Sequence, residues 1–81
     1  MYFVYIIKSL ATPNKFYAGY TLDVQARIKK HNEGESIYTK DFLPWELTFY
    51  YAFNEKKIAL EFEKYLKSHS GRSFLKKRLV P

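Results

Sequence analysis

Residues Phe16–Asn32 read FYAGYTLDVQARIKKHN, and the change of rhythm inside this run decides the fold. FYAGY has the aromatic and small residues of an extended segment, whereas from Thr21 onward the apolar positions fall at helical spacing. Thr21 suits the N-cap and Asp23 the first turn, where a negative charge complements the helix dipole. The helix is expected to end near His31, with Asn32 to Gly34 as the stop. A strand therefore hands over to an amphipathic helix. Val24, Arg27, Ile28 and His31 stand at i, i+3, i+4 and i+7, which is one face of that helix. Two of the four are packing residues; the other two are a cation and a titratable ring. An Arg and a His at i, i+4 reach a common point, and the planar guanidinium fork suits a phosphate. The alternative is structural: Arg27 snorkels from the edge of the stripe and His31 caps the helix C-terminus.

Working outward, residues 2–7, YFVYII, are β-branched or aromatic on both alternating faces and predict a strand covered on both sides, central in its sheet. Pro13 and Asn14 supply turn chemistry, so this strand and FYAGY read as an antiparallel hairpin. If they pair, Tyr5 and Tyr17 share a sheet face, with Gly19 between Tyr17 and the helix start. A glycine there weakens the strand unless it forms a bulge or lets another group approach the backbone. A phenol can donate, accept, or act as a general base when nearby positive charge lowers its pKa from about 10. With eight tyrosines in the chain, any one of them taken alone reads first as core or surface filler.

Downstream, residues 35–45 read as a connecting loop and residues 46–53, ELTFYYAF, as a third strand. Between Lys56 and Ser68, Ile58, Ala59, Phe62, Tyr65 and Leu66 cover one arc of a second helix. Glu63 stands at the border of that arc. It is either a magnesium ligand facing a cleft or a surface carboxylate paired with Lys67 at i+4; Glu61 lies at the opposite edge. Gly71 breaks the pattern, and Ser73 to Val80 predict a short basic helix packing through Phe74, Leu75 and Leu79. The predicted order is β-β-α-β-α-α, an α+β fold with helices flanking a three-stranded antiparallel sheet.

At 81 residues the chain is read as a single domain, 1–81, with one core, and its aromatic content lets that core form without metal or disulfide staples. The absence of cysteine leaves no disulfide framework and no thiolate zinc site, and is compatible with a cytoplasmic setting. No apolar run reaches the roughly 20 residues of a membrane span, and no membrane association or signal peptide is expected. Charge is unevenly placed. Residues 1–63 hold eight bases and eight acids, whereas residues 64–81 hold Lys64, Lys67, Arg72, Lys76, Lys77 and Arg78 with no acid. A one-sided basic segment attracts polyanions such as a nucleic acid backbone, or simply keeps the chain soluble.

VYIIKS with Tyr5, FYAGYT with Tyr17 and Gly19, then Arg27, His31 and Asn32, and a Glu in the helix after the third strand together resemble the GIY-YIG nuclease domain. The first motif appears as Phe3-Val4-Tyr5 and the second as Tyr17-Ala18-Gly19. HNEG, Pro44-Trp45 and the ending EKYLKS-GR-FLKKRL resemble its small single-domain, excinuclease-subunit-C-like branch. The resemblance implies a metal-dependent DNA endonuclease linked to DNA repair or processing. In that scheme Glu63 holds one Mg2+ or Mn2+ ion, Arg27 neutralises phosphoryl charge, and Tyr5 or Tyr17 positions or deprotonates the attacking water with help from His31. The chain departs from the pattern at Tyr20, where several members carry Lys, and has no Asn within residues 73–77. With no recognition helix appended, DNA shape rather than base sequence is the expected determinant; no small-molecule cofactor is expected. The alternatives are a nucleic-acid-binding module with little turnover and an interaction domain whose aromatics mark a partner surface.

Overall fold

A computed structural model describes residues 1–79. Val80, and the packing expected of the Leu79 side chain, lie outside the described residues. The chain forms strands β1 (Tyr2–Ser9) and β2 (Phe16–Thr21), helix α1 (Val24–Asn32), strand β3 (Trp45–Phe53), and helices α2 (Lys56–Leu66) and α3 (His69–Phe74), followed by a π-type turn at Leu75–Leu79. The expected α+β order is the observed one. The sheet is antiparallel with order β2-β1-β3, so β1 is central, as its two apolar faces require.

The two sheet faces bury different things. Val4, Ile6 and Ala18, joined by Ala59, Phe62 and Leu66 from α2 and by Leu75, form one core. Tyr5, Ile7, Tyr17, Ile28 and Trp45 form the other, under α1. Strand β3 serves both faces because of a bulge: Ile6 pairs with Phe49 but Ile7 with Leu47, so Thr48 is the extra residue. Its hydroxyl donates to the Ile6 carbonyl at 2.9 Å. Inserting one residue reverses the side-chain alternation, which sends Phe49 and Phe53 to the α2 side and Trp45 and Leu47 to the α1 side.

Three expectations need correction. The cap of α1 is Asp23, whose carboxylate accepts from the Ala26 amide at 3.1 Å; Thr21 instead accepts from the Asp23 amide through its hydroxyl and braces the cap residue. The packing arc of α2 is narrower than the sequence predicts, since Ile58 and Tyr65 remain largely exposed. The last helix starts earlier, at His69, capped by the Ser68 hydroxyl accepting from the Gly71 amide. Gly71 lies inside this helix rather than breaking it. A Cβ on Gly71 would fall onto the Tyr65 carbonyl and the Leu66 backbone, so the missing side chain is what lets α3 cross the end of α2. No helix among the described residues is long and apolar enough to cross a membrane.

Candidate active site

Register places Tyr5 opposite Gly19 and Ile7 opposite Tyr17, so Tyr5, Gly19 and Tyr17 share the face that α1 covers. The Tyr5 ring crosses directly over Gly19 and occupies the space a Cβ would take. This is the close approach that a strand glycine permits. The Tyr5 hydroxyl is then the common point for the helix pair: it lies 2.7 Å from His31 Nε2 and 3.3 Å from Arg27 Nε. Spacing of four residues on α1 stacks these two groups one turn apart, and one strand residue meets both.

The polar chain continues inward. His31 Nδ1 lies 2.8 Å from Thr39 Oγ1, and Tyr5, His31 and Thr39 are all fully buried. Arg27 can only donate, so the buried phenolic proton has His31 Nε2 as its acceptor. That leaves the imidazole neutral, with its proton on Nδ1 directed at Thr39. Every buried side-chain polar atom among the described residues has a partner. Thr39 carried no signal in the sequence: it sits in a loop, where no periodicity reports burial. The loop is held by Trp45, whose indole donates to the Thr39 carbonyl at 2.9 Å, and whose backbone N–H and carbonyl pair with the Asn32 amide at 2.6 and 3.0 Å.

Burial and charge set the protonation states. Burial pushes the Tyr5 phenol up to about 12, against the hydrogen bond and charge of Arg27, which pull it down, with Tyr17 and Glu63 adding to the rise. Burial also holds the His31 imidazole down to about 4, helped by the positive Arg27. Arg27 is held above its ordinary value, chiefly by the hydrogen bond to Tyr5. At neutral pH the centre is a phenol and a neutral imidazole under one fixed cation.

Glu63 and Lys67 come from α2, on the opposite side of the sheet, and approach around the edge strand β2. The Glu63 carboxylate is near enough for its charge to oppose ionisation of Tyr5, and Lys67 Nζ stands 5.1 Å over the Tyr17 ring. Glu63 accepts from Lys67 at 3.3 Å, so the i, i+4 pair exists, and its Lys67 end reaches Tyr17. Lys67 brings a cation to Tyr17 from α2. Tyr20 alternates to the other sheet face and packs in the α2 core.

The six basic residues of the C-terminal segment do not all line one surface hollow. Lys67, Arg72 and Lys76 line a hollow of about 530 Å3 beside Tyr17. Lys64 lines a separate hollow with Lys56 and Lys57; Lys77 and Arg78 are exposed and line neither. Lys15, Lys30 and Tyr38, which the sequence did not single out, border the hollows around Tyr17. Tyr17 is the part-buried phenol that faces those hollows, while Tyr5 is sealed beneath it.

A metal at this site would have one protein oxygen donor. No group of three His, Cys, Asp or Glu side chains able to hold an ion occurs among the described residues. Glu63 alone fits a hydrated Mg2+ ion, which keeps several waters and takes one or two carboxylates plus phosphate oxygens; its contact with Lys67 would open to admit the ion.

Residues 1–78 match the family described as the GIY-YIG catalytic domain. The chain belongs to the GIY-YIG family. The UPF0213 protein YazA of Bacillus subtilis is 42% identical over 67 residues, covering 82% of this chain and 66% of its own length. A UPF0213 protein of Staphylococcus epidermidis is 38% identical over 76 residues, covering 93% of this chain and 90% of the relative. The chain is also 39% identical, over 69 residues, to the structure-specific endonuclease subunit SLX1 of Debaryomyces hansenii, covering 76% of this chain but only 20% of that protein. Among solved structures, the solution NMR structure of the UPF0213 protein BH0048 from Bacillus halodurans matches 99% of this chain and 87% of its own, with a TM-score of 0.57 and 32% identity. Family and fold thus agree on a small α+β domain with a three-stranded antiparallel sheet.

Proposed function

We propose that this GIY-YIG domain hydrolyses phosphodiester bonds in DNA with the help of one divalent cation. The observation that carries the reading is the meeting of Arg27 and His31 on the Tyr5 hydroxyl, over Gly19 and beside Tyr17, with the Glu63–Lys67 pair reaching Tyr17 through Lys67. Arg27 spends only Nε on Tyr5, and its terminal amino groups make no hydrogen bond among the described residues. They are free to grip a phosphoryl oxygen in the two-pronged manner that guanidinium allows. Tyr5, kept neutral, is a positioning residue that holds Arg27 in place and donates its hydrogen bond to His31 Nε2.

Tyr17 borders the hollows that a water and a phosphate can enter, so in this reading it orients the attacking water. The cation that Glu63 would hold supplies polarisation of the phosphodiester and stabilisation of the departing oxygen. Glu63 thereby contributes the negative charge that Arg27 and Lys67 cannot. A role in DNA repair or processing is proposed on the likeness to the structure-specific endonuclease subunit.

The test is incubation of the purified chain with labelled single-stranded, duplex and branched DNA in Mg2+ or Mn2+, with chelator controls. Metal-dependent cleavage that Glu63→Ala abolishes is the expected result. Binding without cleavage in any metal would assign the chain instead to the nucleic-acid-binding modules.

A further inference from the structure

Two hollows flank Tyr17 and meet there. The smaller, about 290 Å3, runs past Arg27, Lys30 and Glu35; the larger, about 530 Å3, runs past Lys15, Lys67, Arg72 and Lys76 and has no acidic residue in its lining. Tyr17 and Tyr38 line both, so the two are arms of one trough that meet at a pair of phenols. Tyr38 is 75% exposed, a large aromatic left in water where most of its kind would be covered. Cations along a channel with an exposed aromatic at its midpoint are the two parts that bind an unpaired strand: phosphates follow the charge and a base stacks on the ring.

We infer that this trough is a track for single-stranded DNA, with Tyr38 as the stacking platform and Lys15, Arg72 and Lys76 holding the backbone on one side of the reactive phosphate. The inference rests on the nuclease reading only for where that phosphate lies. A duplex suits the trough poorly for two reasons. Its bases are stacked on one another and offer Tyr38 no free face, and its stiffness, with a persistence length of about 50 nm, resists bending the backbone into a recess a few hundred Å3 in size. An unpaired stretch bends and exposes its bases at little cost. The platform reads no base edge, which matches recognition of shape rather than sequence.

The experiment measures binding apart from cleavage. Fluorescence anisotropy of the Glu63→Ala chain is recorded with a labelled single-stranded 15-mer and the blunt duplex of the same sequence, across a salt series. The single strand is expected to bind about ten-fold tighter or more. Tyr38→Ala should weaken it about 5- to 100-fold, as loss of one stacked base does. Joint replacement of Lys15, Arg72 and Lys76 by Gln should flatten the log–log salt slope by about 2, at roughly 0.7 for each phosphate contact on a single strand. Lys56→Gln with Lys57→Gln, in the hollow on the other surface, should change neither. Equal affinity for duplex, wild-type affinity in Tyr38→Ala, or no binding of either DNA would overturn the track. Tight single-strand binding with no cleavage by the unmodified chain would instead overturn the nuclease reading and leave the track standing.

Discussion

The two faces of the sheet are built from one set of alternating strands yet are stabilised differently. On the α2 side, Val4, Ile6, Ala18, Ala59 and Leu66 make a dry apolar core. On the α1 side, residues one step along the same strands place Tyr5 against His31 and Thr39, a buried polar chain whose every member needs its neighbour. The first face tolerates loss of shape at a cost in stability. The second tolerates little loss of hydrogen bonding, because a buried polar atom without a partner has lost its water as well. The comparison teaches that folding and chemistry are separated here by a single step of strand alternation.

The largest expected effect breaks the chemical side alone. Glu63→Gln should lower metal-dependent cleavage by roughly 10^3-fold, about 4 kcal/mol in activation free energy, while the urea midpoint stays close to wild type, since the partner lost is an i, i+4 Lys67 whose side chain is 46% exposed, and Gln keeps the shape of Glu63. A parallel loss of stability would show that the two sides are not separable. The converse variant, Ile6→Ala, empties a fully buried site in the apolar core and should cost about 2–5 kcal/mol in chemical denaturation. Cleavage per folded molecule should survive at temperatures where the variant remains folded.

Acid sharpens the comparison further. His31 titrates near 6.5 when unfolded and near 4 when folded, so the folded state excludes its proton. This contribution is complete above pH 6.5, is lost as pH falls through about 4, and amounts to roughly 3 kcal/mol at most. Denaturation midpoints measured from pH 7 to 4 should show the fall, and His31→Gln should show a shallower one. The smallest effect is expected at Thr39→Val, which keeps shape but leaves His31 Nδ1 without its partner, at about 1–3 kcal/mol. Thr39→Ser should restore most of it, and imidazole nitrogen shifts by NMR should report the Nδ1 proton in the wild type and the Ser variant.

Much of this was legible in the chain. Strand periodicity gave the hairpin and the central position of β1, and spacing of four on α1 brought Arg27 and His31 to one point. Gly19 stood out in a strand, and the structure shows what it admits, the Tyr5 ring. The basic C-terminal segment was visible as charge, but its division was not: only Lys67, Arg72 and Lys76 turn toward Tyr17, because the direction of each side chain depends on how α3 crosses α2 at Gly71.

Local sequence by itself determined the number and order of strands and helices, and which residues share a strand face or a helix face, because those follow from backbone periods of 2.0 and 3.6 residues. Tertiary structure alone decided three things. The bulge at Thr48 switches β3 from one face to the other, Lys67 reaches Tyr17 from a helix on the far side of the sheet, and loop residue Thr39 completes the buried chain from Tyr5. Each depends on a contact between segments distant in sequence, and no repeat within a single segment records such a contact.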